Sequence, residues 1–264
     1  MTDTTAASPR PSTVRTASGF VARPVSRLHT TLNRLLCRLA FLPLYYLCVA
    51  AMRHMGGYVI EDLPRLRKLY REATVGDEPL IVCANHLTFI DSALMHWAFG
   101  SGTWYFFNFT KFSWNLPASD FFKKKLFHRF MAAVSKCLFI HRDGSKEHKA
   151  SVMTMCTQVV AQGEVVTLFP EGRRSRTGRF ESDKLTFGLG KMVMDLGGSA
   201  KVLCCYVRGD KQDSYTNYPA KGSRIHFDAE LVYAGSALSG RDAYQEIVAR
   251  VGETIKAMED RYFG

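Results

Sequence analysis

Apolar runs of strand length alternate with stretches of helix length from Leu80 to Tyr262, and no other feature restricts the fold of this chain as much. The runs Leu80–Ala84, Trp104–Phe107, Cys137–His141, Val165–Phe169, Val202–Val207 and Arg224–Phe227 are predicted strands. Ser92–Phe99, Asp120–Ser135, Lys146–Gln162, Leu185–Leu196 and Arg241–Tyr262 are predicted helices. Strands separated by helices imply an α/β fold, with a largely parallel or mixed sheet flanked by helices. In such folds polar residues that carry chemistry gather where a strand ends and a loop begins. With 264 residues, 47% of them hydrophobic, the chain has enough apolar surface for one substantial core.

The front of the chain reads differently. Residues 1–30 are rich in Ser, Thr, Ala, Pro and Arg without apolar periodicity, which predicts a disordered basic tail. A membrane-associating helical segment is expected over 31–70, followed by an α/β domain over 71–264. The uncharged run Leu39–Met52 would be about 21 Å long as a helix, short of the roughly 30 Å of hydrocarbon in a bilayer. Basic residues flank it on both sides, Arg34 and Arg38 before and Arg53 and His54 after. A dipping or interfacial helix fits that pattern better than a span. Pro43 is expected to kink it, and Tyr45 and Tyr46 suit a head-group boundary. An ordinary core helix and a signal peptide are the competing readings. In the predicted helix Asp120–Ser135, Phe122, Leu126, Phe130 and Val134 recur every four residues opposite Lys124, Lys125, His128 and Arg129. That amphipathic pattern suits a core helix with a solvated face, or a surface for anionic lipid or an acidic carrier.

The net charge of +11 points to negatively charged partners. Anionic membrane surface, an acidic carrier protein and phosphorylated substrates all satisfy it. No groove-reading module is present, so a nucleic-acid partner is not expected. The seven cysteines lie mostly inside apolar runs without paired or finger-like spacing. They predict reduced, buried thiols in a cytosol-facing fold, and no metal.

Two strand-end loops carry the chemistry. The first, NHLTFID, follows LIVCA and contains His86 and Asp91. On one continuous helix those residues would be about 140° apart. A loop that folds back onto a helix start at Asp91 would instead set the carboxylate against one imidazole nitrogen. The other nitrogen is then available to take a proton. The alternative is that Asp91 only caps a helix. The second loop, FPEGRRSRTG, follows VVTL and holds Glu171, Gly172 and Arg174. Pro170 and Gly172 set a turn, Gly172 lets backbone amides approach a ligand, and an arginine fork suits a phosphate. A third stretch, FIHRDG, places Arg142 at another strand end as a further phosphate partner.

Together these blocks resemble the glycerolipid acyltransferases, the group that contains lysophosphatidic acid acyltransferase. NHLTFID is similar to their N-H-x-x-x-x-D block and FPEGRRS to their F-P-E-G-T-R-S block. The blocks occur in the same order, over about residues 35–210. The resemblance implies transfer of a fatty acyl group from a thioester, acyl-CoA or acyl-acyl carrier protein, to the hydroxyl of a lysolipid acceptor. It implies an enzyme on the cytoplasmic face of the inner membrane, with no cofactor beyond the thioester co-substrate. Carried onto this sequence, His86 is the general base and Asp91 its partner. Glu171, Gly172, Arg174 and Arg142 are acceptor-binding residues. Arg173 stands where the family has Thr, His141 where it has an acid, and Cys204 where it has Pro. These three surround the acceptor pocket, so lysophosphatidic acid is the default acceptor and other lysophospholipids, amino-acid lipids and glycolipids stay open. The same chemistry on a phosphate-free acceptor, and a non-catalytic lipid-binding or assembly protein, are the alternatives.

Overall fold

The structure, a computed structural model, describes residues 27–117, 135–141 and 144–264, with side chains from residue 38 onward. The predicted helix Asp120–Ser135 lies almost wholly outside the described residues, and Arg142 lies outside them.

Five strands form one mixed sheet in the order β1-β5-β4-β2-β3. These are β1 (Val59–Ile60), β2 (Leu80–Ala84), β3 (Val166–Leu168), β4 (Ser199–Gly209) and β5 (Arg224–Gly235). β2 runs parallel to both neighbours, with Cys83 opposite Leu168 on one side and Cys204 on the other. β4 and β5 are antiparallel, and β1 is parallel to β5. All five residues of β2 are buried, as a strand covered on both faces requires. Alternation divides them between two cores. Leu80, Val82 and Ala84 join Leu203, Cys205 and Val207 in one; Ile81 and Cys83 join Val202, Cys204 and Tyr206 in the other.

The first core is covered by α1 (Arg27–Ala50), α2 (Leu63–Ala73), α3 (Asp91–Phe99) and α4 (Gly102–Phe107). The second is covered by α5 (Lys146–Ala161), α6 (Gly188–Asp195) and α7 (Gly240–Phe263). The expected division at residue 71 falls inside α2, whose Leu66 and Tyr70 are fully buried in the first core. α1 contributes Phe41 and Tyr45 to that core while Leu39, Tyr46 and Leu47 stay exposed. Pro43 lies inside α1 without ending it, and a π-helical turn at Ala51–Met55 follows. No helix among the described residues is long and apolar enough to cross a membrane.

Several local expectations are corrected. Trp104–Phe107 is helical, because the Ser101 side chain accepts a hydrogen bond from the Trp104 N–H and caps α4. An all-apolar run gives periodicity nothing to act on. Cys137–His141 is not a strand of the sheet; Asn115 forms an isolated bridge to Cys137, and Trp114 another to Val166. Tyr45 is buried, its hydroxyl donating to the Gly100 carbonyl at 2.6 Å, rather than at a head-group boundary.

Candidate active site

β2 ends at Ala84, and the next residue sets the loop. Asn85 is fully buried, its Nδ2 donating to the Val207 carbonyl at 3.0 Å and its Oδ1 accepting from the Val207 N–H at 2.7 Å. This carboxamide mimics another rung of the β2–β4 ladder and starts the loop from a fixed point. The loop then turns back. Asp91 opens α3 and its Oδ2 accepts from the Leu87 N–H at 2.7 Å and the Thr88 N–H at 2.9 Å. Its Oδ1 takes a short hydrogen bond from the Thr88 hydroxyl. The carboxylate thus satisfies amides of the loop that precedes α3 rather than capping the helix, whose first turn has no side-chain cap. A negative charge at a helix start is favoured by the helix dipole.

The same Oδ2 stands 2.9 Å from His86 Nδ1. A carboxylate accepts, so Nδ1 carries the hydrogen and Nε2 is the ring's acceptor nitrogen. The imidazole is held flat against Phe169, with ring centroids 4.0 Å apart and planes at 17°. Phe169 leads the FPEG turn, so the second loop meets the first there. Two main-chain bonds complete the junction. Glu171 Oε2 accepts from the His86 N–H at 2.8 Å, and the His86 carbonyl accepts from the Ser175 N–H at 2.8 Å.

Glu171 is 5% exposed and its other oxygen accepts from the Glu181 N–H at 3.1 Å. The side chain therefore ties three segments together. Gly172 follows at φ +66°, and a Cβ there would lie 3.1 Å from the Thr186 methyl, so glycine suits the turn on both counts. Burial pushes the Glu171 carboxyl up to about 7; the N–H bonds from Glu181 and His86 pull it down, and the Glu181 and Asp91 carboxylates add to the rise. The sign follows from linkage. An acid whose folded pKa lies above its unfolded value contributes stability that is complete below the unfolded pKa and lost as pH rises through the folded one. Wild type should therefore lose on the order of 2–3 kcal/mol relative to Glu171→Gln between about pH 5 and pH 8. Thermal unfolding of both proteins across that range measures it; parallel curves would remove Glu171 as the cause.

His86 and Arg174 line one cavity of about 420 Å³. The rest of its wall is mainly apolar, with Leu44, Val49 and Met52 from the N-terminal segment and Ile90 and Ala93 from the histidine loop and α3. His96 also borders it, stacked on Phe112 at 4.0 Å and hydrogen-bonded to the Ser113 hydroxyl at 2.9 Å. Burial pushes His96 down to about 3, against a rise from the Ser113 bond, with Lys136 lowering it slightly further. The ring is neutral and the cavity wall stays uncharged there. No group of three or more His, Cys, Asp or Glu side chains suited to a metal occurs among the described residues.

The structure thus brings His86, Asp91, Glu171, Gly172 and Arg174 into one region, from loops separated by about half the domain. Arg142 is outside the described residues. Asn85, Thr88, Phe169 and His96 are site residues that sequence reasoning did not assign. Asn85, Thr88 and Phe169 lie within the two recognised blocks; His96 lies outside them and is defined by Phe112 and Ser113 on a later segment.

A model of the acyltransferase family matches residues 60–208. That range contains both strand-end loops, the strands that carry them and the Asn85–Val207 bridge. Among solved structures, the chain is similar to a crystal structure of the 1-acyl-sn-glycerophosphate (LPA) acyltransferase PlsC from Thermotoga maritima. The two are 18% identical with a TM-score of 0.44, over 86% of this chain and 98% of that one.

Proposed function

The chain belongs to the acyltransferase family, and from that premise we propose that it moves a fatty acyl group from an acyl thioester to the hydroxyl of a lysophospholipid at a membrane surface. The observation that carries this reading is the His86–Asp91 pair, set in the wall of a mainly apolar cavity that also holds Arg174. A fatty chain needs the apolar wall, an alcohol needs the base, and an anionic head group needs the cation.

The chemistry uses this chain's own groups. A hydroxyl is a weak nucleophile at neutral pH, so its proton passes to His86 Nε2 as the oxygen attacks the thioester carbonyl. Asp91 stabilises the imidazolium that forms and keeps the ring in the required tautomer. The tetrahedral adduct collapses with cleavage of the carbon–sulfur bond, and the imidazolium returns its proton to the leaving thiolate. No covalent enzyme intermediate is needed. Acyl-CoA and acyl-acyl carrier protein both fit as donors to a cationic protein.

The exposed face of α1 gives the membrane part of the proposal. Leu39, Tyr46 and Leu47 project from the helix whose other side helps enclose the cavity, and Met55, in the turn after α1, and Phe107, at the end of α4, are exposed too. Tyr46 is hydrogen-bonded to Thr103 of α4 at 2.9 Å, so the two helices present their outer faces together. Apolar side chains beside Arg53 and His54 suit an anionic interface on the cytoplasmic side.

Incubating the purified full chain with a radiolabelled acyl-CoA or acyl-acyl carrier protein and a panel of lysolipids tests the reading. Acyl transfer to lysophosphatidate or a related lysophospholipid is expected. Transfer only to phosphate-free acceptors would remove the assignment of Arg174. No transfer by a folded protein would favour a lipid-binding role.

A further inference from the structure

The β4–β5 connection, residues 210–223, has no part in the chemistry above, yet it touches both catalytic loops. Asn217 makes both contacts. Its main-chain carbonyl accepts from the Phe89 N–H of the histidine loop at 2.8 Å, and its Oδ1 accepts from Arg174 Nη1 at 2.7 Å. Tyr215 stacks beside it, its ring centroid 4.9 Å from the Arg174 guanidinium carbon. The connection is pinned at its other end, where the Tyr58 hydroxyl donates to the Pro219 carbonyl at 2.8 Å. It also has a buried anchor in Gln212, whose carbonyl takes a short hydrogen bond from Arg208.

The two adjacent arginines are treated oppositely. Arg173 is paired with the Glu181 carboxylate at 3.1 Å, and its charge is matched within the protein. Arg174 is held by a neutral carboxamide and a ring face, and no carboxylate among the described residues is within ion-pair distance of it. A guanidinium has five N–H donors, of which Asn217 takes one. Orientation is fixed while the positive charge is left for an incoming anion. A carboxylate at 217 would fix the same arginine and cancel it.

We propose that Asn217 is the specificity-determining residue of the acceptor site, holding Arg174 uncompensated so that the enzyme takes lysolipids with a phosphate head group. The inference rests on the acyl-transfer reading above and deepens it. Asn217→Asp and Asn217→Ala separate charge from shape, because aspartate is isosteric with asparagine and alanine is not.

The test measures KM for lysophosphatidate, KM for the acyl thioester and kcat in the full-length enzyme and both variants. Asn217→Asp is expected to raise the lysophosphatidate KM by about tenfold or more, the loss of one charge-assisted contact. The thioester KM and kcat should stay within about twofold, and Asn217→Ala should have the smaller effect on the lysophosphatidate KM. A merely structural Asn217 would give the reverse order, with the isosteric variant mild and the truncated one severe, and would move kcat or the thioester KM. That order, or an unchanged lysophosphatidate KM in Asn217→Asp, would overturn the inference and leave acyl transfer standing. A wild-type enzyme that transfers to no lysolipid would overturn both.

Discussion

Replacing His86 with alanine is expected to lower kcat by about 10³-fold, or ~4 kcal/mol of transition-state stabilisation, and to leave the fold intact. The substitution is a clean probe because the loop is held by its main chain. The His86 N–H still donates to Glu171 and the His86 carbonyl still accepts from Ser175. What disappears is the ring, with its acceptor nitrogen and its stacking on Phe169 at 4.0 Å. Unfolding temperature and KM for both substrates should therefore change far less than kcat. Circular dichroism with steady-state kinetics on the labelled thioester separates the two effects. Full activity in the variant would show that the imidazole is not the base; lost activity together with lost helicity would make the residue structural.

The legibility of this site follows from how local its parts are. β2 and β3 are bounded apolar runs, so the chain announces them, and the loops that follow are where the polar residues fall. The His86–Asp91 pair is likewise readable, since five residues of a folded-back loop suffice to bring the two side chains together. Long-range partners leave no such trace. Asn85 opens the NHLTFID block, but its role is set by Val207, on a strand more than a hundred residues later, and that of Asn217 by two loops that come before it in the chain. β5 was expected to stop at Phe227 but runs to Gly235, because Asp228 and Glu230 look like loop residues in a window and are the outward positions of an alternating strand. Glu171 shows a different limit. Its position in the FPEG block suggests contact with substrate, and the block gives no sign that both its oxygens also accept from backbone amides of other segments, which makes it a brace between loops as well. α1 combines both lessons. Its apolar length was visible, but the division into a buried face with Phe41 and Tyr45 and an exposed face with Leu39 and Leu47 depends on α3 and α4 packing beneath it.

Asp91→Asn is expected to reduce kcat on the order of 10³-fold while also costing about 2–4 kcal/mol of stability, a combination that the His86 variant should not show. The reason is the accounting of donors around one carboxylate. Oδ2 receives His86 Nδ1–H and the Leu87 and Thr88 N–H groups, and Oδ1 receives the Thr88 hydroxyl. All four contacts are donors pointing at a side chain that is 1% exposed. A carboxylate has the lone pairs to accept them all; a carboxamide has one oxygen and two donors of its own. If the amide oxygen keeps the three contacts at Oδ2, its nitrogen must face the Thr88 hydroxyl, which can rotate to accept. The imidazolium formed during proton transfer then lacks its counter-charge. If the amide flips, its nitrogen meets the two backbone N–H groups, and the histidine is driven to the other tautomer with its hydrogen on Nε2. Either arrangement impairs the base, by loss of imidazolium stabilisation in the first case and by wrong tautomer in the second. Urea denaturation together with the pH dependence of kcat distinguishes the pair from a simple brace of the loop. A brace alone predicts lower stability with kcat nearly unchanged once the protein is folded. The dyad predicts that kcat stays low even at temperatures where the variant is fully folded.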